Sequence, residues 1–202
     1  MKTKITIDTN FILSSAYDEY KYLLEYMPSP SPSGNYNIPG ISDYPFYAYF
    51  STLSNNSTIL EVGTHQGGSA TMMSHNKTNT IISYDIHNHL LEPTSRKNIE
   101  FRIGNFMEDD NIDYNKIDLT IIDASHDGET EKKMFKFLEN KWKGGLLYLD
   151  DIHCNSDGNM ISFWESIDTN RHDIFDISDI AHGQTQGSGL VNFNRYFDLN
   201  FI

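Results

Sequence analysis

Residues Thr58 to Ser69, TILEVGTHQGGS, decide how this chain is read. Thr58, Ile59, Leu60 and Val62 form a short apolar run with β-branched members, the pattern of a parallel strand covered on both faces. Glu61 interrupts the run. An unpaired carboxylate is costly to bury, so it is expected at a crevice where a ligand or backbone amides can meet it. Gly63, Gly67 and Gly68 let the backbone turn tightly and approach a bound molecule. The helix that follows offers free N–H groups and a positive dipole end to an anion. Strand, glycine turn and helix together predict a cofactor pocket; the alternative is a plain strand-to-helix turn whose glycines serve packing.

The glycine spacing narrows the choice of cofactor. His65 stands where the second glycine of a dinucleotide fingerprint belongs, and no GxxxxGK[ST] follows. A second strand, Thr80–Tyr84, ends at Asp85, about 20 residues beyond Gly63, where an acidic residue serves to accept ribose hydroxyls. A third, Asn98–Ile103, runs into Gly104-Asn105-Phe106. A fourth, Lys116–Ile122, ends at Asp123 in DASHDGETEKKMF. A helix from Glu131 to Leu138 follows, with Met134, Phe135 and Leu138 on one face. Gly144-Gly145 closes it before the strand LLYLDD, which ends at Asp150-Asp151.

Adjacent strands of an open parallel sheet deliver their carboxyl ends to one crevice, so Asp123, Asp150 and Asp151 are expected to converge. Three carboxylates there repel one another unless protonated or neutralised by a cation, and Mg²⁺ or a similar hard divalent ion takes such oxygen ligands. His126 is a candidate general base near neutral pH, and His153, beyond Asp151, is its rival. Zinc is a weaker reading. Among His65, His87, His89, His126, His153 and His182 no HExxH occurs.

Taken together, Glu-x-Gly-x-x-x-Gly-Gly-Ser, the strand-end Asp85, the Gly104-Asn105-Phe106 turn, Asp-x-x-His and Asp-Asp resemble the class I S-adenosylmethionine-dependent methyltransferases. The variant is that of the macrocin O-methyltransferase and cephalosporin hydroxylase-like families, and the likeness spans about Thr58 to Asn194. It implies an α/β, Rossmann-like sheet of about seven mostly parallel strands, helices on both faces and a short N-terminal helical cap. It further implies that Glu61, Gly63, Thr64, Gly67, Gly68, Ser69, Asp85, Asn105, Phe106 and Asp123 bind S-adenosylmethionine. Phe106 would lie on the adenine ring and Asn105 near its amine. Metal-dependent relatives of the catechol and caffeoyl-CoA type bind their ion through an Asp after the fourth strand and an Asp-Asn pair after the fifth. Here the pair is Asp150-Asp151, so Asp123, Asp150 and Asp151 are the implied ligands. His126, with Asp123, takes the catalytic position that a lysine can occupy in those relatives.

Composition bounds the rest. A chain of 202 residues, 38% hydrophobic and 13% aromatic, suits one globular domain, residues 1–202, divided into a cap region, 1–55, and a core, 56–202. A net charge of −13 with scattered Lys and Arg argues against nucleic acid and against an anionic membrane surface. No run has the ~20 apolar residues of a membrane span, and a cytoplasmic location is expected. The single cysteine, Cys154, excludes an internal disulfide. In the cap we expect a strand at Lys4–Asp8, a helix at Ser15–Met27 begun by Ser14 or Ser15, a PSPSPSGNYNIPG loop, and a helix around Tyr44–Leu53. In the segment IHNHLLEPTSRKN, Pro93 limits how far any helix can extend. Late in the chain we expect a helix within Asn155–Asp168 and strands at Asp173–Ser178 and Gly189–Phe193, for which the resemblance implies a closing antiparallel hairpin. Its HGQTQGSG loop would border the acceptor site. The expected reaction is in-line methyl transfer to a small hydroxylated acceptor, possible homo-oligomerisation being left open. A cephalosporin hydroxylase-like enzyme of the same fold, or a non-catalytic S-adenosylmethionine-binding protein, are the alternatives.

Overall fold

A computed structural model describes residues 2–26, 43–90, 94–154, 158–181 and 186–202. In chain order the cap contributes β1 (Lys4–Ile7), α1 (Thr9–Ser14), α2 (Ala16–Tyr20), a 3₁₀ stretch at Lys21–Tyr26 and α3 (Asp43–Ser51). The core follows with β2 (Thr58–Val62), α4 (Gly68–Met73), β3 (Thr80–Asp85), β4 (Ile99–Ile103), β5 (Ile117–Ile122), α5 (Glu129–Lys141) and β6 (Gly145–Asp150). The chain closes with α6 (Asn159–Glu165), β7 (Asp173–Asp176), α7 (Ser178–Ala181), β8 (Ser188–Phe193) and β9 (Asp198–Phe201).

The main sheet has seven strands in the order β4-β3-β2-β5-β6-β8-β7. Strands β2 to β6 run parallel, and β8 lies antiparallel to both β6 and β7. This is the Rossmann-like α/β sheet, with the antiparallel closing pair, that the resemblance implies. The order reverses at β2: β3 and β4 extend to one side and β5 to the other. A crevice therefore opens at the carboxyl ends of β2, β3 and β5.

Strand parity sorts the core onto two faces. Ile59, Ile121 and Tyr148 point to one side, against Phe46 and Phe50 of α3 and Met72 and Met73 of α4. Leu60, Ile122 and Leu149 point to the other, against Phe135 and Leu138 of α5 and Phe163 of α6. Helices thus cover both faces, which explains why the central strands read as continuous apolar runs.

The cap departs from expectation at its start. The Asp8 carboxylate accepts the Phe11 N–H at 2.9 Å, so the helical region begins at Thr9, while Ser15 falls between α1 and α2 and makes no side-chain capping bond. Strand β9 was not foreseen. It pairs in parallel with β1 in a separate two-stranded sheet, Lys4 opposite Asp198 and Ile7 opposite Phe201. Met27, the loop at 28–40, Pro93, Asn155 and residues 182–185 of the HGQTQGSG segment lie outside the described residues. Among the described residues no helix is long and apolar enough to cross a membrane.

Candidate active site

The glycine turn is fixed by the strands on either side of it. Gly63 and Thr64 donate their N–H groups to the Tyr84 carbonyl at 2.8 and 3.1 Å, and Asp123 donates its own to Val62 at 2.9 Å. Gly63 has φ +110°, and a Cβ added there would fall 1.5 Å from the Asp123 carbonyl oxygen. Only glycine lets the ends of β2 and β5 come this close.

A cavity of about 490 Å³ opens beyond this turn, within the usual range for a small-molecule site. Gly63 and Asp85 form one wall, Asn105 and Phe106 a second, and Asp123 and His126 a third. The Asp85 carboxylate accepts the His65 N–H at 2.8 Å and the His87 N–H at 3.0 Å. Each carboxylate oxygen has a second lone pair, so Asp85 is oriented by the backbone while keeping capacity for a ligand. Asn105 caps the 3₁₀ turn Phe106–Glu108 by accepting from the Met107 N–H, and buried Phe106 meets Tyr84 at a centroid distance of 6.3 Å. Both therefore stabilise the fold as well as line the cavity.

Glu61, Thr64, Gly67, Gly68 and Ser69 do not line the cavity. Glu61 is fully buried and shares the parity of Ile59. Its Oε2 accepts the Ser83 hydroxyl, Ser69 bonds the same carboxylate, and among the described residues Oε1 has no hydrogen-bond partner. Burial, opposed by those hydrogen bonds, pushes the Glu61 carboxyl up to about 7. Thr64 bonds Ser83 at 2.6 Å, so the motif's polar side chains form a buried layer beneath the turn.

The second cluster spreads over the ends of β5 and β6. His126 lies between two carboxylates, its Nε2 3.4 Å from Asp123 and its Nδ1 3.4 Å from Asp151. Both His126 and Asp151 occupy left-handed backbone, with φ of +55° and +56°. Burial, and after it the charges of Asp150, Glu61, Asp43 and Asp151, hold the Asp123 carboxyl well above the ordinary carboxylate range. Asp150 faces a different neighbour. The Tyr148 hydroxyl lies 3.2 Å from it, 3.3 Å from Asp43 and 2.8 Å from Ser188 Oγ. His153 pairs with Asp176 of β7 at 2.7 Å, away from the His126 cluster.

The donor chemistry suits a hard cation, because carboxylates crowd neighbouring strand ends and Asp123 is pushed toward its neutral form by burial and, after it, by the others. Their arrangement is less complete: among the described residues no group of three His, Cys, Asp or Glu side chains is placed to hold an ion. Sequence reasoning also passed over Asp43, Tyr148 and Glu131. The first two meet only because α3 crosses β6. Glu131 had a visible signal, an acid in the first turn of a helix that follows a glycine.

Residues 60–152 match a family model described as a methyltransferase domain. Over that stretch, a little under half of its length, the chain is similar to a methyltransferase domain. Solved structures agree in fold. A candidate O-methyltransferase from Klebsiella pneumoniae is 17% identical, with 90% of each chain covered and a TM-score of 0.60. An O-methyltransferase from Bacillus cereus, in complex with S-adenosylhomocysteine, is 15% identical over 89% of this chain and 91% of that one, with a TM-score of 0.57. The O-methyltransferase TomG from Streptomyces achromogenes, involved in tomaymycin synthesis and in complex with S-adenosylmethionine, is 13% identical over 89% and 90%, with a TM-score of 0.59. The sequence matches none of the curated proteins. The match and the shared fold both point to a methyltransferase.

Proposed function

We propose that the methyltransferase acts on oxygen, moving the methyl group of S-adenosylmethionine to a small hydroxylated acceptor. One observation carries this reading: the cavity formed by the glycine turn and Asp85 is also walled by Asp123 and His126, so a base stands beside the place for the cofactor. S-adenosylmethionine, when bound, supplies an electrophilic methyl group on a sulfonium. Asp85 would accept its ribose hydroxyls, and Asn105 and Phe106 would face its adenine. His126 would take the proton of the acceptor hydroxyl, and the carboxylates of Asp123 and Asp151 would steady the imidazolium that results. Positioning and deprotonation are then the protein's main contributions. The crowd of carboxylates also disfavours an acceptor that is anionic beside its reacting hydroxyl.

S-adenosylhomocysteine at 100 times its dissociation constant is expected to add roughly 2.7 kcal/mol of apparent stability, a rise in Tm of about 5–10 °C for a domain of this size. Asp85→Ala should bind it at least about tenfold more weakly by calorimetry, since a charge-assisted hydrogen bond contributes roughly 1.5–3 kcal/mol. No thermal shift in the wild type would remove the cofactor assignment.

A divalent cation is the finer part of the proposal. Asp123 and Asp151 would hold it, and when bound it would ease loss of the acceptor's proton. Titration with Mg²⁺ should then show binding lost in Asp123→Ala and Asp151→Ala and weakened less in Asp150→Ala, because Asp150 faces Tyr148. Equal affinity in the wild type and all three variants would rule the cation out.

A further inference from the structure

The turn that carries His126 is held from outside the turn. His126 at φ +55° and Gly128 at φ +73° are both left-handed, a conformation that resists any side chain and that leaves neighbouring N–H groups without helical or strand partners. One carboxylate collects them. Glu131 Oε1 accepts the Ser125 N–H at 2.9 Å and the His126 N–H at 2.8 Å, and its Oε2 accepts the Gly128 N–H at 2.9 Å. Glu131 is 1% exposed, so these bonds are shielded from water.

Helix capping is shared: the Gly128 N–H bond makes Glu131 one cap of α5, and its bonds to Ser125 and His126 reach beyond the helix. Asp127 accepts both the N–H and the hydroxyl of Thr130, at 2.7 and 2.9 Å, and so ties the first turn of α5. On the opposite side of the turn, a Cβ added to Gly128 would come within 2.4 Å of the Asn159 backbone, so the turn is pressed between Glu131 and the start of α6.

The imidazole itself is weakly fixed. Its nitrogens stand 3.4 Å from Asp123 and from Asp151, longer than an ordinary hydrogen bond, and among the described residues Nδ1 has no hydrogen-bond partner. The ring's place is therefore set through its backbone. From this we infer that Glu131 is a positioning residue, whose carboxylate holds the Ser125–Gly128 turn so that His126 stands between Asp123 and Asp151. The inference rests on the reading of His126 as the base of the site.

The test is spectroscopic and needs no knowledge of the acceptor. In ¹³C-labelled protein the His126 ring signal is identified by its loss in His126→Ala. In Glu131→Ala that signal should shift and broaden, while the ring signal of His172, fully buried beside Phe135 and Phe193, stays in place. Amide exchange at Ser125, His126 and Gly128 should rise at least about tenfold. Glu131→Gln keeps one acceptor oxygen and should fall between the two; it decides the matter alone if the alanine variant does not fold. Movement of both histidine signals together would mark a merely structural role and overturn the inference, as would an unmoved His126 signal. S-adenosylhomocysteine titrated into the same samples separates the two readings. Failure to bind sinks the proposed function and leaves the clamp standing, whereas binding with an unmoved His126 ring sinks the clamp alone.

Discussion

Gly63→Ala is expected to remove more than about 4 kcal/mol of stability, enough to leave little folded protein at 25 °C. Two effects combine. Alanine resists φ +110°, which costs about 1–3 kcal/mol, and its methyl group would fall 1.5 Å from the Asp123 carbonyl oxygen, so β2 and β5 would have to part in the middle of the sheet. Parting them also strains the bond from the Asp123 N–H to the Val62 carbonyl. Gly104→Ala is the control. It has φ +141° but, among the described residues, nothing within 4 Å of an added Cβ, so only the backbone effect, about 1–3 kcal/mol, is expected. Urea unfolding, or soluble yield where the variant does not fold, measures both. A Gly63→Ala protein within about 1 kcal/mol of the wild type would mean that the strand ends do not meet as described.

The second large effect depends on pH. Glu61 titrates at 4.5 when unfolded and at about 7 when folded, chiefly because burial disfavours its charge. Between those values the folded chain holds a proton that the unfolded chain has released. The stabilisation from the neutral carboxyl is therefore complete below pH 4.5 and is lost as the pH rises through 7. A gap of that size corresponds to roughly 3 kcal/mol. Glu61→Gln keeps an acceptor for the Ser83 hydroxyl and does not titrate, so the variant should gain on the wild type by about 2–3 kcal/mol between pH 5 and pH 8.5. Asp123 is raised as well, in part by the Glu61 charge, so the difference between the two proteins reports Glu61 together with its coupling to Asp123. The same stability difference at pH 5 and pH 8.5 would show that another group carries the titration.

The order of strands and acids was legible because each central strand is an apolar run that stops at a carboxylate or a glycine. What the sequence concealed was direction. Asp150 and Asp151 sit at one strand end and read as a pair, yet strand parity turns Asp150 toward Tyr148, and a left-handed residue turns Asp151 toward His126. Glu61 was expected at the crevice; its parity sends it beneath the turn, while Val62, one residue on, lines the cavity. Asp8 reads as the end of a strand, and only the position of Phe11 shows that it caps a helix. Strand β9 is four residues of mixed polarity, and a strand so short gains its identity from its partner, which here lies at the other end of the sequence.

That partnership between β1 and β9 bears on how the protein is made. The Ile202 carbonyl accepts the hydroxyl of Thr9 from 193 residues away, and Ile202 donates its N–H to Ile7. On the ribosome, Lys4–Ile7 emerges early and must wait, as an unpaired edge, until Asp198–Phe201 has been translated. The cap around α1 is then secured after the catalytic sheet rather than before it. A nascent chain stalled short of residue 198 should keep its glycine turn protected from protease and expose the segment before α3.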